Sequence, residues 1–314
     1  MTDLKVFRRG ADGRDVELRG STVARERELQ RRVEGSLEAM LGVRFLASEY
    51  PTGSWHQGRI DTLGLDEDNV PVLIEFKRGR DAGVITQAAS YLVWLMAHRP
   101  EFEALVRRRL GAVVAEAVDW RRPRVICVAA EFSKHDRAAA SLYQRDHRMD
   151  LVRYRVFGPE LLTLQLVEPF AGVTGSSVPI PAEPVVAADA GPEASVVAGP
   201  GSLVEVPGCL RELYGELDDV LAAAGELEVV VLKHYIAYRR MLNVASVVFR
   251  PSPSHRALLV YLRLDPDTVE LEPGFTRDVR GIGHLGTGDL EVRITSSADV
   301  DKAAVLIRRA VEES

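Results

Sequence analysis

A stretch without a single lysine or arginine, running from Ala171 to Val206, constrains the fold of this 314-residue chain more than any other feature. It is rich in Gly, Pro, Ala, Ser and Val, and no helical or strand period holds across it. Connections of this length are uncommon inside compact domains and are typical of linkers. We therefore predict an N-terminal domain over residues 1–170, a linker over 171–206 and a C-terminal domain over 207–314. A long surface loop crossing one domain is the alternative.

The composition is that of an ordinary globular protein, with 46% hydrophobic and 27% charged residues. The net charge of -6 excludes a uniformly basic nucleic-acid binder, so any phosphate-binding surface must be local. The first residues lack the apolar core of a signal peptide, and the longest apolar stretch, 91–97, is too short to span a bilayer. A cytoplasmic protein without a membrane segment is expected.

Hydrophobic periodicity predicts an α/β fold for the N-terminal domain and a smaller α+β fold for the C-terminal domain. In the N-terminal domain we expect a mixed sheet flanked by helices. Its predicted helices cover 21–41, 82–97, 101–110 and 133–145, and its predicted strands cover 44–49, 59–65, 70–77, 124–130, 151–157 and 161–166. The C-terminal domain is predicted to contain a helix at 210–224, strands near 228–232, 245–249, 257–264 and 289–294, and a helix at 297–312.

Two of these strands flank the polar turn 66–69, which is typical of an antiparallel hairpin. Side chains alternate between the faces of a strand, so Glu75 and Lys77 share one face while Ile74 and Phe76 point the other way, toward a core. If the hairpin closes around the turn, Asp61 comes beside Glu75. The pattern therefore predicts two carboxylates and a lysine at the end of a buried hairpin.

Such a group of side chains suits phosphodiester chemistry. Carboxylate oxygens suit Mg²⁺, which binds one or two carboxylates and retains waters. A bound Mg²⁺ or Mn²⁺ would acidify a water and polarise a phosphoryl group. Asp61 and Glu75 are the predicted metal ligands, the carbonyl of Phe76 is a plausible third, and Lys77 would orient water or hold developing charge.

Asp61 followed by Glu75-Phe76-Lys77 resembles the signature of the PD-(D/E)XK nuclease superfamily, although Ile60 stands where the family has its proline. Residues 20–110 also resemble the catalytic domain of NucS/EndoMS-type endonucleases. The matching segments are Glu28-Leu29-Gln30, Glu49-Tyr50-Pro51-Thr52-Gly53, Gly58-Arg59-Ile60-Asp61, Ile74-Glu75-Phe76-Lys77 and Gln87-x-x-x-Tyr91. The resemblance implies a restriction-endonuclease-like sheet and the site roles given above.

It also implies a supporting acid on the first helix, Glu28, with Glu26 and Glu34 as the alternatives. Gln87 and Tyr91 lie one helical turn apart and would face the site as supporting or phosphate-positioning groups. We find no counterpart of the separate N-terminal domain through which the mismatch endonucleases engage DNA. Mismatch specificity is therefore not expected.

Clustered basic residues would meet backbone phosphates if the resemblance holds. The candidates are Arg78, Arg80, Arg107 and Arg108, with solvated helix and loop ends as the alternative. For Arg59, which precedes the metal-binding aspartate, a structural ion pair is expected.

Segments of the C-terminal domain, among them 235–240 and 283–289, resemble a domain of unknown function that is found attached to nucleases of this kind. Its loop Gly281 to Gly288 is rich in glycine. Such a loop either permits a ligand to approach the backbone closely or makes a tight turn before the next strand.

The expected function is that of a metal-dependent endonuclease that hydrolyses DNA phosphodiester bonds in repair or defence. RNA is an open alternative as substrate, and a homodimer would suit the cutting of two strands. The alternative to an enzyme is a catalytically silent nucleic-acid-binding or protein-interaction module built on a nuclease fold.

Overall fold

The computed structural model describes residues 4–53, 58–79, 83–143, 147–167, 206–232, 234–253, 255–282 and 286–314. The chain divides into two compact units, 1–178 and 179–314. The division falls inside the stretch interpreted as a linker, which lies outside the described residues except for Val206. None of the helices among the described residues is long and apolar enough to cross a bilayer.

The first unit is built around a six-stranded mixed sheet with helices. The strands of the unit are β1 (Val6–Arg9), β2 (Asp15–Leu18), β3 (Val43–Pro51), β4 (Arg59–Asp66), β5 (Pro71–Lys77), β6 (Arg124–Ala129), β7 (Arg148–Phe157) and β8 (Leu161–Val167), of which β3 to β8 form the large sheet. Its helices are α1 (Glu26–Glu34), α2 (Leu37–Leu41), α3 (Val84–Ala97), α4 (Arg99–Leu110), α5 (Ala112–Glu116) and α6 (Lys134–Tyr143). Strands β1 and β2 form a separate exposed hairpin.

The order of the large sheet is β3-β4-β5-β6-β7-β8. Strands β5, β6 and β7 are parallel, and the outer pairs are antiparallel. The predicted mixed sheet with flanking helices is confirmed. Parallel strands are normally covered on both faces, and β6 is buried along its whole length.

The sequence predicts that one face of β5 packs against a core, whereas in the structure both faces of the strand are buried. Helix α3 packs on one face and α1 contacts the other. Leu73 and Glu75 are consequently as inaccessible as Ile74 and Phe76. Glu75 is therefore enclosed between the two layers that cover the sheet.

The predicted first helix, 21–41, is wrong in its bounds. Ser21 exchanges backbone hydrogen bonds of 2.8 and 3.0 Å with Val156, so the chain is extended there. The helix begins only at Glu26 and is interrupted at Gly35 and Ser36, where α2 starts afresh. Both residues have low helix propensity.

Among the described residues, the second unit is an antiparallel six-stranded sheet with two α-helices and a short 3-10 helix at Pro266–Thr268. It contains α7 (Gly208–Ala224), β9 (Glu228–Val231), β10 (Ile236–Arg239), β11 (Asn243–Arg250), β12 (Ala257–Leu262), β13 (Thr276–Asp278), β14 (Leu290–Ile294) and α8 (Ser297–Glu312). The strand order is β13-β14-β12-β11-β10-β9. In this unit, the hydrophobic pattern did not predict strands β10 and β13.

The glycine-rich loop of this unit approaches its own sheet. The amide of Thr287 donates to the Ser246 hydroxyl at 3.1 Å. A Cβ at Gly288, whose φ is +128°, would lie 2.6 Å from the carbonyl oxygen of Leu262. Close packing on the sheet thus explains Gly288 and also Gly286, whose Cβ would lie 2.6 Å from that of Ser246. Residues 283–285 lie outside the described residues, and the choice between a tight turn and a ligand-binding loop stays a prediction.

Candidate metal and phosphodiester site

The hairpin of β4 and β5 forms with the predicted turn. The Asp66 carboxylate accepts from the amides of Asp68 and Val70, both at 2.9 Å, and Asn69 adopts a positive φ of 61°. These contacts make a side chain-capped turn, for which Asp and Asn are well suited. The resulting register pairs Leu65 with Pro71 and ends at the pair Thr62 and Ile74.

Beyond Thr62 and Ile74, carboxylates replace the backbone acceptors between the two strands. The Phe76 amide donates to Asp61 Oδ2 at 2.8 Å, and the Asp61 amide donates to Glu75 Oε1 at 3.3 Å. Each carboxylate thus accepts a hydrogen bond from a backbone amide of the neighbouring strand. The structure brings Asp61 and Glu75 together as the sequence analysis expects.

One oxygen of this pair lacks any partner. Glu75 Oε2 is buried and forms no hydrogen bond within the part of the chain that the structure describes. Buried carboxylate oxygens are normally satisfied, because an unpaired one carries the full cost of losing water. The orphaned oxygen is therefore a free ligand position beside Asp61.

The electrostatics of the pair point the same way. Burial, followed by repulsion from Asp61, raises the pKa of Glu75 to about 9. Burial also raises the pKa of Asp61 to about 6, against the lowering influence of the Phe76 amide and Lys77. Near neutral pH Glu75 therefore keeps its proton in the metal-free protein, and a bound cation would favour the form in which both carboxylates are ionised.

Lys77 is held beside the pair by Glu26. Its Nζ lies 3.4 Å from Glu26 Oε1, and Glu26 Oε2 accepts from the Arg78 amide at 3.0 Å. Burial would lower the pKa of Lys77, but Glu26, Asp61 and Glu75 together raise it above its ordinary value. The lysine is therefore a protonated, partly buried cation.

The helix acid that reaches the site is Glu26, and the choice of Glu28 is corrected. Two residues along an α-helix turn the side chain by about 200°, so Glu28 points away from Glu26 and is exposed. Glu34 accepts from Thr62 Oγ1 at 2.6 Å and from Gln30 Nε2 at 3.1 Å. It supports β4 from the other end of α1.

Gln30 was missed as a site-supporting residue. Its side-chain amide is buried and donates to the Asp61 carbonyl at 2.8 Å, and Ser48 Oγ lies 3.1 Å from the same nitrogen. Gln30 fixes the backbone that carries the Asp61 carboxylate. A glutamine between Leu29 and Val33 on the apolar side of a helix is the signal that could have revealed it.

A third acidic residue stands next to Asp61 in β3. Glu49 lies between the register pairs Ser48–Thr62 and Tyr50–Ile60, which places it opposite Asp61. Its φ of 51° is in the left-handed region, which glutamate rarely adopts. Glu49 Oε2 lies 3.4 Å from Arg59 Nε, which is the ion pair expected for that arginine.

Gln87 and Tyr91 are joined to the start of β4. Gln87 Nε2 lies 3.4 Å from the Tyr91 hydroxyl. A Cβ at Gly58 would lie 2.5 Å from that hydroxyl, so only glycine fits there. Tyr91 therefore contacts Gly58, which directly precedes β4 and lies three residues before Asp61. The predicted role of Gln87 and Tyr91 in the site stays a prediction.

The predicted basic residues lie on different elements. Arg78 is exposed at the end of β5, whereas Arg80 lies outside the described residues. Arg107 and Arg108 occupy the last turn of α4, and Arg107 is paired with Glu116 at 3.4 Å. Their binding of phosphate stays a prediction.

Asp61 and Glu75 are the two carboxylates that this site offers to a metal ion. Within the described ranges, no group of three or more His, Cys, Asp or Glu side chains is arranged to hold a metal ion. A site here would need Asp61, Glu75 and non-carboxylate ligands. That set fits Mg²⁺ or Mn²⁺, which accept backbone carbonyl, water and phosphate oxygens, and the free Glu75 Oε2 supplies a donor.

No family model matches the chain. An "Uncharacterized protein" of Haemophilus influenzae (strain ATCC 51907 / DSM 11121 / KW20 / Rd) is 24% identical over 319 residues, spanning 99% of this chain and all of that protein. The similarity therefore runs through both units.

Two solved structures are also similar to part of the chain. One is an EndoMS–dsDNA complex, 22% identical, covering 41% of this chain with a TM-score of 0.25. The other is a repair endonuclease from Pyrococcus abyssi, 19% identical, covering 42% with a TM-score of 0.26. The chain spans less than half of each, 45% and 49%. Scores this low carry no argument about fold or activity, and the site must be judged from its own geometry.

Glu26 and Glu28 offer a matched test of the helix contact. Replacing Glu26 with glutamine should lower any activity of this site about 10–100-fold, as removal of an orienting partner typically does. Glu28→Gln removes the same charge from the same helix and should leave activity unchanged. Steady-state rates of both variants decide the matter, and equal losses would show that only helix charge matters.

Proposed function

We propose that this protein is a metal-dependent endonuclease of the PD-(D/E)XK type that hydrolyses DNA phosphodiester bonds. The observation that carries the proposal is the meeting of Asp61 and Glu75 where β4 and β5 part, with Glu75 Oε2 unpartnered and Lys77 adjacent. Two acids placed side by side at a largely buried position disfavour each other's ionisation. A ligand-binding role explains why both stand there.

Asp61 and Glu75 would hold Mg²⁺ or Mn²⁺, with the Phe76 carbonyl as a third protein ligand. When bound, such an ion lowers the pKa of water and stabilises charge on phosphoryl and leaving oxygens. Asp61 Oδ2 is fixed by the Phe76 amide, so this chain presets the direction of the carboxylate. Preset ligands reduce the reorganisation needed during reaction.

Lys77 would supply the fixed positive charge. Its raised pKa keeps the ammonium protonated, and Glu26 holds it on the same side of the site. A protonated amine can donate to a nonbridging phosphate oxygen or orient an attacking water by hydrogen bonding. Both roles favour the transition state, in which negative charge accumulates on phosphate.

DNA is the proposed substrate because the motif segments resemble DNA endonucleases, and repair or defence is the proposed setting. RNA carries the same phosphodiester and is a comparison substrate in the test. A homodimer would supply two such sites for the two strands of a duplex. The fold proposed for the first unit is accordingly the restriction-endonuclease-like variant of its mixed sheet.

The test is cleavage by the full chain of labelled single-stranded, double-stranded and branched DNA and of RNA. We expect cleavage in Mg²⁺ or Mn²⁺ but none in EDTA. Asp61→Asn, which preserves shape, should reduce the rate at least about 100-fold. Wild-type cleavage by the Asp61→Asn variant, or cleavage that persists in EDTA, would refute the proposal. Binding of nucleic acid and Mn²⁺ without cleavage of any substrate would favour the catalytically silent alternative.

A further inference from the structure

Arg153 of β7 lies in the same row of the sheet as Lys77. Lys77 pairs with Ala129 of β6, and Ala129 pairs with Arg153. Residues paired across parallel strands project from the same face, so both cations leave the sheet on one side. Their backbones are two strand spacings apart, about 10 Å. The short side chain of Ala129 is buried between them and does not keep the two cations apart.

The guanidinium of Arg153 lacks a partner within the described part of the chain. Its Nε is buried without a hydrogen-bond acceptor, and no ion pair or other hydrogen bond is found for its side chain among the described residues. Arginines nearby are satisfied. Arg155, two residues further on, donates to the Ala130 carbonyl and lies 3.3 Å from Glu131 Oε1.

A half-buried guanidinium that lacks an acceptor is destabilising unless a ligand completes it. An anion with several oxygens would complete it, because guanidinium presents a planar fork of donors that matches phosphate and carboxylate. Of the site carboxylates, Asp61 lies on β4, one strand further from β7 than Lys77, and Glu75 lies on β5 in the row of Cys127 and Leu151. They are already engaged with each other's backbone.

We propose that Arg153 binds a phosphate group beside the one held at Lys77, so that adjacent phosphates of a nucleic-acid strand bridge β5 and β7. The identity of the strand rests on the proposed nuclease function, whereas the anion site itself does not. The shared chemistry is a phosphate, which could belong to nucleic acid or be free in solution. The arms of the experiment separate the two.

The first arm measures affinity of the full chain for labelled DNA in EDTA, which prevents metal-dependent cleavage. Arg153→Gln should weaken binding about tenfold at moderate salt and lower the salt slope by about one phosphate contact, roughly 0.7–0.9 in log–log units. Arg153→Lys should keep the slope, since charge is retained. Arg109→Gln, which removes one exposed charge from α4, is the matched control and should change neither value appreciably.

The second arm follows thermal unfolding of the same proteins with added inorganic phosphate at constant ionic strength. Phosphate should raise the unfolding temperature of wild type and Arg109→Gln but not of Arg153→Gln. If phosphate stabilises wild type but not Arg153→Gln, and wild type neither binds nor cleaves nucleic acid, the anion site stands and the nuclease proposal is refuted. If wild type binds DNA and Arg153→Gln equals wild type in both arms, the proposed phosphate site at Arg153 is wrong. The nuclease proposal, which the cleavage assay tests separately, then stands.

Discussion

Replacing Lys77 with alanine should lower the rate of DNA cleavage about 10²–10³-fold while Mn²⁺ still binds. The side chain lies beside Asp61 and Glu75 but contributes no metal-binding atom, because a protonated amine only donates. Its removal therefore takes away transition-state stabilisation and leaves both carboxylates in place. The measurements are single-turnover cleavage rates and Mn²⁺ binding by titration on the same preparation.

Two further lysine variants sharpen this test. Lys77→Arg retains the charge but replaces a compact ammonium with a wide planar group, so it should recover only part of the rate. Lys134→Ala removes an exposed lysine from α6 and should cleave like wild type. If Lys77→Ala cleaved normally, or lost Mn²⁺ as well as activity, the proposed division of labour would be wrong.

Replacing Glu75 with glutamine should stabilise the metal-free protein, and more strongly as the pH rises. The folded pKa of Glu75, about 9, lies above its ordinary value of 4.5 because the carboxyl is buried and faces Asp61. Between these values the folded chain holds a proton that the unfolded chain releases. The free energy of unfolding therefore falls as pH rises through this window. Glutamine cannot ionise and escapes that loss.

The measurement is thermal unfolding of full-length wild type and variant in EDTA from pH 5 to pH 9. The advantage of Glu75→Gln should widen steadily across this range, because only the wild type loses stability as its carboxyl ionises. Glu160→Gln, an exposed loop change, should show no such trend. Mn²⁺ should stabilise wild type and not Glu75→Gln. A variant less stable than wild type at pH 9 would contradict the electrostatic argument.

The local sequence was sufficient to predict the part of the site that a single hairpin forms. The turn 66–69 and strand alternation place Asp61 beside Glu75, since both depend on register within a short segment. The same reasoning could not show that β5 is covered on both faces, because helices distant in sequence provide the second cover. Strand alternation alone does not reveal how many layers of helices cover a sheet.

The helix acid was misassigned for a tertiary reason. Ser21 pairs with Val156, and the Val23 amide lies 3.4 Å from the Tyr154 hydroxyl, so the chain before α1 is held extended by β7. These contacts set where α1 begins and which of its faces meets Lys77. No local pattern distinguishes Glu26 from Glu28 without them. Arg153 was overlooked for the same reason, since lack of a partner is visible only after folding.

The parting of β4 and β5 also makes two amide protons into reporters of the site's charge. In an ordinary ladder the Asp61 and Phe76 amides would bond to carbonyls that do not titrate. Here their acceptors are Glu75 and Asp61 carboxylates, whose strength as acceptors changes when they gain a proton or share electrons with a cation. The chemical shifts and solvent-exchange rates of these two amides thus follow the occupancy of the site from within the backbone.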